Sequence, residues 1–329
     1  MTLRIGLLGA GRIGKVHAGA VLANPATTLV AVADAIDAAA RAIADPVGAG
    51  VRTIEEIIAA DDIDAVVICT PTDMHSDLIE QAARAGKAIF CEKPIDLSVE
   101  RVKACLAVVA ETNALLMVGF NRRFDPSFAE VHRRIAAGEI GDVEMVQITS
   151  RDPGPPTSEY ISRSGGLFRD MTIHDFDMAR FMLGEEPTSV FATASVLVDP
   201  EIGTLGDVDS AAVVLRTASG KMAMISNSRR ATYGYDQRLE VHGSLGLISA
   251  ENTRTNTVTV ATGEGYTSAP LHAFFMTRYT ESYAAEIAAF VAAASGTASP
   301  SPTGDDGLRA LVLAEAAARS FAEGRAIEI

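Results

Sequence analysis

The sequence has 329 residues, of which 48% are hydrophobic, and a formal net charge of −14. This length favours two domains, because a single hydrophobic core rarely grows beyond roughly 250–300 residues. The excess of acidic residues argues against nucleic acid and anionic membranes as partners, since both would repel such a surface. Small-molecule chemistry is the class of function that remains.

The cysteines and the apolar runs indicate a cytoplasmic protein. Cys69, Cys91 and Cys105 are odd in number and lack metal-ligand spacing, which fits a reducing compartment and predicts no metal site. No apolar run reaches the ~20 residues of a membrane span, and the first residues form a strand pattern without a targeting segment. We therefore expect no contact with a membrane.

Near the N-terminus an apolar run turns into a helical pattern through three glycines. Residues 9–14 match GxGxxG, in which Gly9 permits a tight turn, Gly11 lets a pyrophosphate approach the backbone and Gly14 allows close helix–strand packing. The loop residues expected to contact a dinucleotide are Gly9, Ala10, Gly11, Arg12, Ile13 and Gly14. A glycine-rich turn without a ligand is the alternative, but it leaves the acidic residue that follows unexplained.

That acidic residue is Asp34, which ends a second strand-like run 20 residues after Gly14. An acidic side chain at this spacing accepts hydrogen bonds from the adenosine ribose. It would repel the 2′-phosphate of NADP, and the following Ala35 and Ile36 offer no arginine to bind that phosphate. The sequence therefore predicts NAD in preference to NADP.

Strand and helix patterns alternate up to residue 119, as in a parallel sheet covered on both faces. Ligands of such sheets bind beyond the carboxyl ends of the strands. The residues expected to contact the cofactor there are Thr70, Pro71, Thr72, His75, Glu92 and Lys93. Thr72 could instead cap the next helix, and His75 could instead be exposed in its first turn. Lys93 precedes Pro94 and is predicted to project into the crevice.

From residue 121 the pattern changes to that of a mostly antiparallel sheet. Strand-like segments cover 143–149, 189–198, 208–216, 221–229, 237–242 and 246–249, and helical patterns follow at 280–294 and 308–323. The predicted fold is thus an α/β protein with an N-terminal Rossmann domain, a doubly wound parallel sheet, over 1–120. A C-terminal α+β domain with a large, mostly antiparallel sheet is predicted over 121–329.

Two features of the second half bear on chemistry. Asp170 and His174 lie four residues apart in a helical pattern that runs to Met182, so they share one helical face. The pair either orients the histidine as a proton acceptor or is an ordinary surface pair. The Pro/Gly-rich stretch within 152–164 fits a loop that covers a substrate. Tyr233, in a later connection, either lines the crevice or is simply exposed.

Four motifs together resemble the Gfo/Idh/MocA family of NAD(P)-dependent oxidoreductases, most closely its inositol 2-dehydrogenases. They are the GxGxxG of 9–14, the Glu-Lys-Pro triplet at 92–94, the run from 119 to 125 and the Asp-x-x-x-His at 170–174. The resemblance covers essentially the full length, including the segment 303–307. It implies that Lys93, Asp170 and His174 are catalytic and also bind the substrate, together with Arg123 and Tyr233.

The resemblance implies oxidation of myo-inositol to 2-keto-myo-inositol, with hydride transfer to NAD. His174 would take the hydroxyl proton, Asp170 would steady the imidazolium, and Lys93 would stabilise the alkoxide or relay the proton. A homotetramer paired through the second-domain sheets is also implied, and the second domain would bind substrate. The alternatives are a dehydrogenase of another polyol or sugar, such as scyllo-inositol, glucose or galactose, or a non-catalytic NAD-binding metabolite sensor. Intact catalytic residues count against the sensor.

Overall fold

The computed structural model describes residues 2–329. Its strands are β1 (Leu3–Leu8), β2 (Thr27–Ala33), β3 (Gly50–Val51), β4 (Ala65–Ile68), β5 (Ala88–Glu92), β6 (Leu116–Gly119), β7 (Val143–Arg151), β8 (Pro187–Ser195), β9 (Ser210–Thr217), β10 (Met222–Ser228), β11 (Asp236–Gly243), β12 (Gly246–Ala250), β13 (Thr259–Thr262), β14 (Gly265–Ser268) and β15 (Ile327–Glu328). Its α-helices are α1 (Arg12–Ala23), α2 (Asp37–Ala44), α3 (Ile54–Ala59), α4 (His75–Arg84), α5 (Val99–Thr112), α6 (Pro126–Ala136), α7 (Ser158–Ser164), α8 (Ile173–Leu183), α9 (Pro200–Thr204), α10 (Phe275–Arg278), α11 (Thr280–Ala294) and α12 (Gly304–Glu323).

The chain folds into two compact units. The first contains the chain up to Phe124 together with Thr280–Leu311, and the second contains Asp125–Tyr279 together with Val312–Ile329. These units differ from the predicted domains, 1–120 and 121–329, because α11 packs within the first unit. Phe290 of α11 lies 5.7 Å from Phe90 of β5, measured between ring centroids. The helical pattern of 280–294 indicates a helix but does not specify which sheet covers it.

The first unit contains a six-stranded sheet in the order β3-β2-β1-β4-β5-β6, and every paired neighbour in it is parallel. The residues of β4 and β6 are all buried, as expected for strands covered on both faces. The strand order reverses direction between β1 and β4, which is the arrangement of the doubly wound nucleotide-binding fold. The predicted Rossmann sheet is confirmed.

The second unit contains a seven-stranded sheet in the order β12-β11-β7-β10-β9-β8-β15, which is antiparallel except where β7 pairs with β10. Its central strands alternate, so that in β9 Val213 and Leu215 are buried while Val214 and Arg216 are exposed. Helix α8 packs against β7 and β10. The predicted mostly antiparallel sheet is confirmed.

The second unit begins at a capped helix. Asp125, the last residue of the 119–125 motif, accepts hydrogen bonds on Oδ1 from the backbone amides of Ser127 and Phe128, both at 3.1 Å, and Pro126 occupies the first helical position. Its Oδ2 lies 2.5 Å from Nη1 of the buried Arg278. A conspicuous acidic residue of the motif therefore starts α6 and anchors α10.

The structure departs from the sequence predictions in three places. The stretch 152–164, predicted irregular, contains the short helix α7, capped by the Thr157 hydroxyl. Residues Phe168–Thr172 form a π-helical turn ahead of α8. The hairpin β13–β14 was not predicted at all. Within residues 2–329, no helix has the length and apolar character needed to cross a membrane.

Candidate active site

The glycine loop between β1 and α1 has one glycine that the protein's own packing does not require. A Cβ on Gly9, whose φ is +100°, would lie 2.5 Å from the carbonyl oxygen of Cys69, and one on Gly14 would overlap the carbonyl of Gly9. A Cβ on Gly11 would have no atom of residues 2–329 within 4 Å. Internal packing therefore gives no reason for a glycine here, and the open space leaves room for a dinucleotide pyrophosphate at the start of α1.

Asp34 is fixed at the end of β2 by two backbone amides. Its Oδ2 accepts a hydrogen bond of 2.6 Å from Ala10 of the glycine loop, and its Oδ1 accepts one of 2.8 Å from Ile36. The carboxylate therefore lies beside the loop where the sequence places the adenosine ribose. The hydrogen bond from Ala10 connects the glycine loop to the end of β2.

The segment after β4 holds an unsatisfied hydroxyl. The Oγ1 atom of Thr70 is buried and has no hydrogen-bond partner among residues 2–329, which is the state expected of an atom that bonds to a cofactor. Thr72 begins a 3₁₀ turn, and α4 has no side-chain cap within the described chain, so the capping alternative for Thr72 is wrong. Gly11, Asp34 and Thr70 together fit a dinucleotide.

His75 is buried, so its alternative as an exposed residue is wrong. Its Nδ1 lies 2.8 Å from the carbonyl oxygen of Pro94 and its Nε2 lies 2.7 Å from that of Thr70. Burial lowers the pKa of His75, and the two carbonyls oppose that shift. The ring joins the loops after β4 and β5, so that any contact with a cofactor would come from the face of the ring.

Glu92 faces the interior of the first unit. Its Oε1 lies 2.6 Å from Nε2 of the fully buried His17, and its Oε2 accepts a hydrogen bond of 3.2 Å from the backbone amide of Lys93. Lys93 itself is half-buried and is joined to Pro94 by a cis peptide bond. Glu92, expected to contact the cofactor, is thus bonded to its own unit and holds the backbone of Lys93.

A second acid lies in the same interior. Glu286 of α11 is fully buried, and neither of its carboxylate oxygens has a hydrogen-bond partner among residues 2–329. Burial raises the pKa of Glu286 well above its usual value, and the charge of Glu92 raises it further. Burial of this kind disfavours the ionised form of a carboxyl.

Arg123 is paired within the first unit. Its Nη2 donates a 2.9 Å hydrogen bond to Oδ1 of Asp306, while Oδ2 of Asp306 accepts from the amide and hydroxyl of Thr303 at 2.8 and 3.0 Å. The closing 303–307 motif therefore caps α12 and binds Arg123. Part of the guanidinium that was predicted to bind substrate is engaged by this aspartate.

The second unit presents Asp170 and His174 on different kinds of helix. Asp170 lies in the π-helical turn Phe168–Thr172 and His174 in the first turn of α8, so the simple α-helical spacing assumed for the pair does not hold. π-Helical turns frequently occur at functional sites. The Oδ1 of Asp170 accepts a 2.8 Å hydrogen bond from the Tyr160 hydroxyl, and its Oδ2 lies 3.2 Å from Nη2 of Arg229.

Tyr233 combines an exposed ring with an engaged hydroxyl. The hydroxyl donates to Oδ2 of Asp236 at 2.6 Å and accepts from Nη1 of Arg151 at 3.1 Å. Burial, followed by the hydrogen bond to Asp236, raises the pKa of Tyr233. The side chain of Tyr233 is exposed, as one of the two alternatives expects, while its hydroxyl is held by Asp236 and Arg151.

Sequence reasoning missed His17, Tyr160 and Arg229, which contact predicted site residues, and the buried Glu286. His17 lies three positions after Gly14 on the same face of α1, which was the one available signal for its burial. A glutamate within the alanine-rich pattern of α11 gave a weaker signal. Nothing in the order of residues along the chain joined Arg229 to Asp170.

The fold agrees with two family models. Residues 3–120 match the oxidoreductase family with an NAD-binding Rossmann fold, and residues 128–249 match the GFO/IDH/MocA C-terminal domain. The inositol 2-dehydrogenase of Rhizobium meliloti (strain 1021) is 68% identical over 329 residues, which cover 100% of both chains. The chain belongs to the GFO/IDH/MocA oxidoreductase family. The predicted family is confirmed.

Solved structures of GFO/IDH/MocA proteins resemble the whole chain. A myo-inositol dehydrogenase from Corynebacterium glutamicum is 45% identical with a TM-score of 0.96, covering 100% of this chain and 99% of that one. A scyllo-inositol dehydrogenase from Lactobacillus casei, solved with bound NAD(H) and scyllo-inositol, is 30% identical with a TM-score of 0.93 and the same coverage. The first unit of this family member is therefore an NAD-binding Rossmann domain, and the predicted cofactor is confirmed.

Proposed function

We propose that the protein oxidises myo-inositol to 2-keto-myo-inositol (scyllo-inosose) as an NAD-dependent inositol 2-dehydrogenase. The single observation that carries this proposal is the 68% identity, over the full length of both chains, with an inositol 2-dehydrogenase. The C. glutamicum myo-inositol dehydrogenase, similar over essentially its whole length, supports the same substrate. NAD accepts the hydride when it is bound.

For the cofactor we propose contacts from the strand ends of the first unit. The proposed set is Gly9, Ala10, Gly11, Arg12, Ile13, Gly14, Asp34, Thr70, Pro71, Thr72, His75, Glu92 and Lys93. Gly11, Asp34 and Thr70 have the strongest support, from the open space at Gly11, the fixed carboxylate and the unsatisfied hydroxyl. His75 and Glu92 have weaker support, because their polar atoms bond within the protein. The Asp34 carboxylate favours NAD over NADP by charge.

For the chemistry we propose three residues with separate roles. His174 takes the hydroxyl proton, for which a neutral imidazole is suited near pH 7. Asp170 steadies the imidazolium that forms. Lys93 donates a hydrogen bond to the substrate oxygen and stabilises its developing alkoxide charge. The hold of Glu92 on the amide of Lys93 supports a fixed backbone at this position.

Arg123 and Tyr233 are proposed to bind substrate hydroxyls, with support mainly from the family resemblance. Asp306 already engages one nitrogen of Arg123, and Asp236 engages the hydroxyl of Tyr233. These two aspartates restrict the orientations of both side chains.

A second candidate is oxidation of scyllo-inositol. The similar L. casei enzyme, which was solved with bound scyllo-inositol, supports this candidate. The two reactions share the cofactor and differ in the configuration of the carbinol carbon. We propose myo-inositol first because the relative at 68% identity is named an inositol 2-dehydrogenase, whereas the scyllo-inositol enzyme is 30% identical. Glucose and galactose are further outcomes of the same test.

We also propose that the protein forms a cytoplasmic homotetramer through the outer face of the second-unit sheet. That face carries exposed Phe191, Val214, Met222 and Met224, which form an apolar surface on the strands β8, β9 and β10. Apolar surfaces of this kind mark interaction sites. The three buried free cysteines fit a reducing cytoplasm. Light scattering is expected to give the mass of four 34.5 kDa chains, and Val214→Glu is expected to lower it.

The test of the function is the absorbance of reduced nicotinamide with NAD, and separately NADP, against myo-inositol, scyllo-inositol, glucose, galactose and xylose. We expect the highest kcat/KM with myo-inositol and NAD. A higher kcat/KM with scyllo-inositol would transfer the assignment to the second candidate. Binding of NAD by calorimetry without turnover of any polyol would contradict the enzymatic proposal and favour a sensor.

A further inference from the structure

The carboxylate of Asp170 is held on both of its oxygens by other side chains of the second unit. The Tyr160 hydroxyl donates to Oδ1 at 2.8 Å, and Nη2 of Arg229 lies 3.2 Å from Oδ2. A carboxylate held by two donors on different oxygens has a fixed orientation about its last torsion angle. The donors come from two separate places, α7 and the residue that follows β10.

Arg229 is an unusual donor because its side chain is only 1% exposed. A buried guanidinium is strongly unfavourable unless anions surround it, because burial removes its hydration. Two carboxylates face it, that of Asp170 at 3.2 Å and that of Asp207 at 3.9 Å. Removing its charge would therefore leave two acidic groups beside each other without a cation.

Asp207 is itself held in place by the turn that leads into the π-helical segment. Its Oδ1 accepts a 2.9 Å hydrogen bond from the amide of Leu167, and a Cβ on Gly166 would come within 2.8 Å of the same atom. Both carboxylates face the same nitrogen of Arg229, Nη2, with Asp170 at 3.2 Å and Asp207 at 3.9 Å. Of the two contacts, the one to Asp170 is within hydrogen-bond distance.

We propose that Arg229 is a positioning residue that fixes the carboxylate of Asp170 for its work beside His174 in polyol oxidation. The hydroxyl of the half-exposed Tyr160 is the second donor to this carboxylate, and it connects α7 to Asp170. This proposal rests on the proposed function, because it assigns Arg229 a role through Asp170. An error of about 1 Å in the placement of a catalytic group can cost on the order of 100-fold in rate.

Three variants test separately the charge of Arg229, the planar shape of its guanidinium and the hydroxyl of Tyr160. Arg229→Gln removes the cation, Arg229→Lys keeps the charge but loses the planar fork, and Tyr160→Phe removes one donor. Arg230→Gln is the matched control, because Arg230 is the neighbouring residue, is exposed, and donates to the carbonyls of Leu197 and Val198. Each is assayed for kcat and KM with NAD and myo-inositol, for NAD affinity by calorimetry, and for folding by circular dichroism.

We expect Arg229→Gln to lower kcat by about 100-fold, with NAD affinity unchanged within twofold. The kcat of Arg229→Lys is expected to be at least about tenfold higher than that of Arg229→Gln. Tyr160→Phe is expected to lower kcat about tenfold or less, and Arg230→Gln to match the wild type. The decisive comparison is Asp170→Asn with and without Arg229→Gln. If Arg229 acts through Asp170, the second substitution lowers kcat by no more than twofold in that background.

Additive losses in the double variant, or a wild-type kcat in Arg229→Gln, would overturn the positioning role. Should Arg229→Gln fail to fold, Arg229→Lys in the Asp170→Asn background is the deciding test. A purely structural role would lower kcat by the same factor there as in the wild-type background, which would overturn the proposal. A wild-type enzyme that turns over no polyol would refute the proposed function itself, and the role of Arg229 with it. Normal wild-type turnover with an unaltered Arg229→Gln variant refutes only the role of Arg229.

Discussion

Alanine substitutions at Gly11 and Gly14 are expected to fail in opposite ways, although both glycines belong to one motif. A Cβ on Gly14 would overlap the backbone carbonyl of Gly9, and a backbone atom cannot rotate away as a flexible side chain can. Forcing such a group into a packed region costs about 1–3 kcal/mol. We therefore expect Gly14→Ala to lower the free energy of unfolding of the protein without cofactor by about that amount.

Gly11→Ala has no such internal conflict. The Cβ would meet no atom of residues 2–329 within 4 Å, and the φ of −68° at Gly11 suits any L-residue. Its stability without cofactor is expected to equal that of the wild type or to rise by up to about 1 kcal/mol, because alanine restricts the unfolded chain. The added methyl group would instead occupy the space proposed for the pyrophosphate, and we expect NAD to bind at least about tenfold more weakly, or about 1.4 kcal/mol.

The assay is denaturant unfolding of both variants without cofactor, combined with calorimetric titration of NAD into each folded protein. The expected result is a crossed pattern, in which Gly14→Ala loses stability and Gly11→Ala loses affinity. Wild-type NAD affinity in Gly11→Ala would refute the approach of the pyrophosphate to this residue. Equal losses of stability in both variants would refute the claim that only Gly14 is required by internal packing.

Three further predictions test the cofactor acid, the chemistry and the buried glutamate. Asp34→Ser is expected to weaken NAD binding and to reduce the preference for NAD over NADP, because it removes the charge that repels a 2′-phosphate; an unchanged ratio of the two kcat/KM values would contradict this. Lys93→Ala is expected to lower kcat far more than NAD affinity, and His174→Ala to lower kcat about 10²–10⁴-fold and to remove the pH-dependent limb of the base; survival of that limb would assign the proton elsewhere. Glu286→Gln is expected to stabilise the protein increasingly as the pH rises. Because the pKa of Glu286 is raised in the folded state, the folded protein keeps a proton that the unfolded chain releases above the ordinary pKa of glutamate. The free energy of unfolding of the wild type therefore falls with rising pH, by up to about 1.4 kcal/mol per pH unit, until the folded-state pKa is reached. Urea unfolding at pH 5 and pH 8 measures this, with Glu281→Gln on the exposed side of α11 as the control; a pH-independent difference would show that Glu286 is ionised in the folded state.

The sheets were predictable because their strands carry strong local patterns. The apolar runs of β4 and β6 indicate strands covered on both faces, and the alternation in β9 indicates a sheet with one face outward. The position of α11 was not predictable in the same way. Its pattern specifies a helix, but its place beside Phe90 depends on a contact between residues 200 positions apart. Local patterns do not encode contacts of that range.

The site residues divide along the same line. The positions of Gly9, Gly14 and Asp34 follow from a short loop and a fixed spacing, and the structure gives the two glycines a steric reason and Asp34 a hydrogen bond to that loop. The π-helical turn at Asp170 was not predictable, because the sequence of 168–172 has no feature that distinguishes a π turn from an α turn. Asp170 and His174 are therefore not joined by one regular α-helix, although the sequence pattern predicts one.

The partners of the charged residues account for most of what sequence reasoning missed. Arg123 follows a strand end, and the family resemblance implies that it binds substrate, yet Asp306 binds it from 183 positions away. The sequence around Arg229 does not indicate its partners. Because the guanidinium is buried, it requires nearby carboxylates, and one of these is Asp170. A charge exposed on the surface is free to be functional by itself. A buried charge must have counter-charges, so the residues that surround a catalytic group are found by asking what neutralises it. For Asp170 the neutralising residue is Arg229, and the double variant Asp170→Asn with Arg229→Gln tests whether Arg229 acts through Asp170.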